Sequence, residues 1–175
     1  MTSSATLLDR RQLKLAGLVE HQLLRPLAER DQKRWLLVTK DIETTISGKG
    51  DPALQFPSFD ADAVIGRFCK GWIVSITREP EGKADFKKLQ AHDEAWVMNF
   101  RGPAEGWRLF GRFARKNLFV GLALWPRGDC VPWSVYQQRA TAMISDWGGR
   151  WTNDPLRSNN YGDFLSDPWD DRDAK

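Results

Sequence analysis

Over the first 46 residues the apolar positions recur with helical spacing. Leu7, Leu8, Leu15, Leu18, Val19 and Leu23 fall three and four apart, on one face of a helix. Pro26 interrupts that face, because a proline inside a helix removes a hydrogen bond and clashes with the preceding turn. The spacing resumes at Trp35, Val38, Ile42 and Ile46 and stops at Ser47-Gly48-Lys49-Gly50-Asp51-Pro52. Residues 5–46 therefore predict a pair of helices, or one sharply kinked helix. Residues 53–59 look like a loop, and Asp60 suits the N-cap of a short helix through Phe68. After Gly71 the β-branched run "WIVSITRE" predicts a strand, and Glu79-Pro80-Glu81-Gly82 a turn. "KADFKKLQAHD" fits a short helix or a loop.

From Ala95 the period changes to two. Strands are predicted over 95–101, 107–114 and 118–125. Trp96, Met98 and Phe100 share one face of the first. Trp107, Leu109, Gly111 and Phe113 share one face of the second, with Arg108, Phe110 and Arg112 on the other. A hairpin loop at Gly102-Pro103-Ala104-Glu105 pairs Phe100 with Trp107, Met98 with Leu109 and Asn99 with Arg108. That register keeps the apolar set on one side. A three-residue connection, Arg115-Lys116-Asn117, sets Gly111 opposite Gly121 and Arg112 opposite Val120, with Asn117 tolerating the left-handed conformation. The third strand, "LFVGLALW", is apolar throughout, so both of its faces are expected to be covered. Ser134 then suits the cap of a helix, "VYQQRATAMISDW", ended by Gly148-Gly149. Residues 152–175 form a polar tail with isolated apolar anchors at Leu156, Tyr161, Phe164, Leu165 and Trp169.

The expected fold class is α+β: an N-terminal helical pair, an antiparallel meander of about four strands, a C-terminal helix and an acidic tail. The expected division is a helical extension over 1–50, an α+β core over 51–151 and the tail over 152–175. With 175 residues the chain is long enough to bury a core without disulfides or metals. Nine Trp and nine Phe against two Tyr imply a core built largely of flat rings. Cys69 and Cys130 stand far apart with no CxxC, which argues against a disulfide scaffold and a zinc site. No signal-peptide run and no membrane-length apolar stretch is present, so a cytoplasmic, reduced protein that does not enter a membrane is expected.

Charge sharpens the picture. The net charge is only +3, but residues 101–150 carry eight basic against three acidic residues, and 151–175 carry three against six. The basic block coincides with the aromatic ribbon, and such asymmetry bears on partners. The chain has no P-loop, GxGxxG, HExxH or GxSxG pattern, and no cofactor or metal is expected. Of its two histidines, His21 lies among apolar helix residues and suits a structural role, while His92 abuts the strand of Trp96 and is a candidate acid or base. Arginine offers phosphate a permanently charged fork of donors, and neighbouring rings offer bases a stacking platform. Two readings of the ribbon stay open: a solvated hairpin end, or a surface that binds an anion such as nucleic acid. The acidic tail is either a solvated terminus or a segment folded over the basic sheet.

The run from Lys87 to Arg127 resembles the core of RelE/ParE-like toxins, including their phage-derived HigB-like branch. The matching pieces are Lys87, Lys88 and Leu89, a strand ending at Arg101, Trp107-Arg108-Leu109, the apolar strand 118–125 and Arg127. The resemblance implies a ribosome-associated mRNA endonuclease that needs no metal and has an antitoxin partner. Arg108 and Arg127 would stabilise charge on the scissile phosphate, and Tyr136 or His92 would assist the leaving group. Lys87 and Lys88 would position the RNA backbone, with Arg101, Arg112, Arg115 and Lys116 as further RNA contacts. The alternative is a non-catalytic domain that binds nucleic acid or protein through the ribbon.

Overall fold

The computed structural model describes residues 7–79, 83–102 and 106–173. In chain order the elements are α1 (Arg10–Leu15), β1 (Val19–Glu20), β2 (Trp35–Val38), α2 (Lys40–Ile46), α3 (Ser58–Cys69), β3 (Val74–Thr77) and β4 (Phe86–Lys88). There follow β5 (Trp96–Phe100), β6 (Trp107–Arg115), β7 (Leu118–Pro126), α4 (Trp133–Arg150), α5 (Tyr161–Phe164) and β8 (Trp169–Asp171). All eight strands join one mixed sheet in the order β1-β2-β7-β6-β5-β4-β3-β8.

This architecture overturns the expected helical pair and four-stranded meander. Among the described residues of the expected first helix only six are helical, held at their start by a capping box between Asp9 and Gln12. Gly17, at φ +90°, turns the chain into β1, which pairs with β2. The run "WLLV" is β2, not the start of the second helix, and it pairs in parallel with β7. Trp35 and Leu37 face one side of the sheet, Leu36 and Val38 the other. A short run covered on both faces carries no alternation that would separate strand from helix. The expected loop or helix around Phe86 is instead β4, antiparallel to β5.

The centre of the sheet follows the expected register. Phe100 pairs with Trp107, Met98 with Leu109 and Asn99 with Arg108. Gly111 faces Gly121 and Arg112 faces Val120, with bulges between Phe110 and Gly111 and between Phe113 and Arg115. Asn117 takes φ 64° in the β6–β7 turn. The expected loop over 103–105 lies outside the described residues.

Helices cover both faces. On one side α2, α3 and α5 pack on Trp96, Met98, Leu109, Phe113 and Phe119. On the other, α1 and α4 pack on Val97, Phe110, Ala114 and Val120. The face expected to display Arg108 and Arg112 is thus largely roofed by α4. This helix begins at Trp133, before Ser134, with Pro132 at its N-cap, and runs through Gly148 and Gly149 to Arg150. Residues 152–173 are built into the structure: Tyr161, Phe164 and Leu165 are buried, and β8 pairs in parallel with β3. Arg34, fully buried, donates to the carbonyls of Trp72, Ser166 and Pro168 and so ties β2 to this final segment.

Candidate functional site

One cavity, of about 350 Å³, opens where the N-terminus of α4 meets the ends of β5 and β6. Its floor is buried: Lys87 from β4, Asn99 from β5, Cys130 and Tyr136. Arg108 of β6 is half-buried beside them, and the rim is exposed, with Lys83, Arg101, Arg127, Val131 and Trp133. Among the described lining residues five side chains are cationic and none is acidic.

The sheet register explains the floor. Pairing of Asn99 with Arg108 places both on the α4 side of neighbouring strands. Asn99 Nδ2 donates to the Ala84 carbonyl at 2.8 Å, which holds the segment before β4 against β5. Arg127 is fixed where β7 ends, its backbone N–H donating to the Gly106 carbonyl at 2.7 Å. A 3₁₀ turn over Arg127–Cys130 and a cis Val131–Pro132 peptide then lead into α4. No side chain caps α4 among the described residues, so the positive end of its dipole adds to the charge at the cavity.

Tyr136 is the central group. It is only 7 % exposed, packs at 5.0 Å from Phe110 and stacks at 4.9 Å under Trp133. Its hydroxyl is buried and has no hydrogen-bond partner among the described residues. A buried, unpaired hydroxyl is costly and rare, and this one belongs to a side chain that lines the cationic cavity. Burial pushes the phenol above its usual range, outweighing the opposite pull of Arg108, so it stays protonated and able to donate. Burial also lowers the Arg108 guanidinium, and the positive charges of Arg127 and Arg101 lower it further. Arginine remains a cation in spite of such shifts. Three like charges around one space are stabilised by an anion between them.

Arg108, Arg127, Tyr136, Lys87 and Arg101 are therefore brought together, and the other sequence candidates are not. His92 lines a separate hollow with Arg78, Lys88 and Glu94. Lys88 forms an ion pair with Glu94 at 3.0 Å and donates to the Ser158 carbonyl. Arg112 is buried over the Trp147 ring and bonds both the carbonyl and the carboxylate of Asp93. Burial alone would raise the Asp93 carboxyl, but hydrogen bonds from Arg157 and Arg112 outweigh it and hold it below the usual range. Arg115 donates to the carbonyls of Leu7 and Leu8 and pins the N-terminal segment. Lys116 is exposed in the hairpin turn. Sequence reasoning missed Lys83, Asn99 and Trp133. The expected pairing of Asn99 with Arg108 carried a signal for Asn99, whereas Trp133 and Lys83 depend on how loops close.

Comparison with family models, with curated proteins and with solved structures returns no match for this chain. No helix among the described residues is long and apolar enough to cross a membrane.

Proposed function

We propose that the protein binds nucleic acid, RNA in the first instance, by seating phosphate in the cavity between β6 and α4. One observation carries this reading: among the described residues, five cations and no carboxylate line a single cavity together with Tyr136. Phosphate accepts from guanidinium forks, ammonium groups and hydroxyls alike, and a helix N-terminus favours it further. A solvated basic surface does not require buried cations, and Lys87 in this cavity is only 7 % exposed.

A second reading, metal-independent RNA cleavage in the manner of RelE-like toxins, draws on the convergence of Arg108, Arg127 and Tyr136. Fixed cations stabilise charge developing on a phosphorane-like transition state, and a protonated phenol can donate to the leaving oxygen. Binding is put ahead of cleavage because among the described lining residues there is no histidine or carboxylate to accept the proton of an attacking 2′-hydroxyl.

Binding of single-stranded RNA to the wild type and to an Arg108→Ala/Arg127→Ala variant, across a salt series, tests the proposal. The variant is expected to bind at least about tenfold more weakly, with its salt slope reduced by about 1 to 1.5. Equal affinities and slopes would overturn the phosphate seat. The same pair expressed in a bacterial host, with transcript 5′ ends mapped, tests cleavage: new ends from the wild type alone support the second reading, and none excludes it.

A further inference from the structure

The cavity is not uniform, and its gradient bears on what enters. Lys87, Asn99 and Tyr136 are each at least nine-tenths buried, while Trp133 at the rim is 42 % exposed. Charge therefore extends to a closed floor, and an aromatic ring stands at the mouth. Trp133 stacks on Tyr136 with an interplanar angle of 20°, so its indole plane is set by a buried side chain of the floor.

A closed floor discriminates between kinds of phosphate. An internal phosphodiester carries one negative charge and chain on both sides, so it can only lie across a mouth. A monoester carries about −1.5 to −2 charges at neutral pH and three free oxygens, and can enter end-on. The volume, about 350 Å³, is at the small end of ligand pockets and suits one nucleotide rather than several. We infer that the cavity takes the phosphate monoester of a single nucleotide, the phosphate against Arg108 and Lys87 and the base against Trp133. This rests on the phosphate seat proposed above. The nucleotide is either free or the phosphorylated end of a strand.

Calorimetric titration of the full chain with inorganic phosphate, adenosine, adenosine 5′- and 3′-monophosphate, and short RNA with or without a terminal phosphate tests it. At least one monophosphate is expected to bind about tenfold or more tightly than inorganic phosphate, with adenosine not binding. Trp133→Ala is expected to bring the monophosphate down to the affinity of inorganic phosphate while leaving inorganic phosphate unchanged. Trp133→Phe, which keeps a stacking ring, restores the difference. Monophosphates no tighter than inorganic phosphate, or RNA that binds regardless of its terminal phosphate and is not displaced by a monophosphate, would overturn the nucleotide assignment and leave the phosphate seat standing. Binding of none of these probes would overturn both. A strand with a terminal phosphate that binds more tightly than the free monophosphate identifies a strand end as the ligand; the reverse identifies the free nucleotide.

Discussion

Gly111 shows how closely β6 and β7 approach at the bulge beside it. A Cβ there would lie 2.0 Å from the Val120 carbonyl oxygen and 2.7 Å from Cζ of Phe119. Backbone cannot yield as a flexible side chain can, so Gly111→Ala must part the two strands that position Arg108 and Arg127. The expected loss of stability is on the order of 3 kcal/mol by urea denaturation, and a loss below about 0.5 kcal/mol would show that the strands separate freely. At Gly121 the obstructing atoms belong to the buried Leu109 side chain, the nearest at 2.7 Å, and a side chain can shift where backbone cannot. Gly121→Ala is therefore the milder of the two. At this scale much was legible. Alternation and loop length together set the pairs Asn99–Arg108 and Gly111–Gly121, because one shift in register would turn Trp96, Met98 and Phe100 to the wrong face. The partner of Arg112 was not legible, since Asp93 reaches it only through the fold of the segment after β4.

Elements whose burial is one-sided and periodic were the readable ones, and the C-terminal segment is neither. Its anchors are spaced without period, yet the Phe164 ring lies 4.9 Å from Trp96 and 5.5 Å from Phe113. The Asn117 N–H donates to the Phe164 carbonyl at 2.8 Å, and the Asp173 carboxylate accepts from Thr77 and from the Arg78 N–H, both at 2.6 Å. The segment thus closes the core beside β5 and β6 and edges the sheet at β3. None of its described residues lines the cavity between β6 and α4. Truncation after Ser158 would remove three buried apolar side chains and uncover two aromatic ones. Loss of one buried Phe costs about 3–5 kcal/mol, against a total stability of about 5–15 kcal/mol. The truncated chain is expected to lose cooperative thermal unfolding by circular dichroism. An unchanged melting midpoint would mean that the segment only rests on the surface.

At the scale of the whole molecule, pairings distant in sequence decide the outcome. Trp35 lies beside Leu118 and Val74 beside Trp169, so the first and last parts of the chain flank a sheet whose centre is local. The run Trp35–Val38 could not announce its parallel partner, because such pairing depends on residues far along the chain and leaves no short-range mark. The expected division into extension, core and tail predicts separable unfolding, the outer parts melting first. The sheet predicts something else. β2 sits between β1 and β7, with Leu36 and Val38 in the core shared by Trp96 and Phe113, and Arg34 beside it grips the carbonyls of Ser166 and Pro168. Melting either edge would therefore expose the common core, and melting the β8 edge would also take from the buried Arg34 the Ser166 and Pro168 carbonyls, a cost of several kcal/mol. Urea transitions followed by far-ultraviolet circular dichroism and by tryptophan fluorescence are expected to coincide as one two-state curve. The nine tryptophans are spread from Trp35 to Trp169, so fluorescence reports on the sheet from edge to edge. A fluorescence midpoint clearly below that of the backbone signal would show an edge that unfolds alone, and with it a looser union of the terminal segments than this sheet describes.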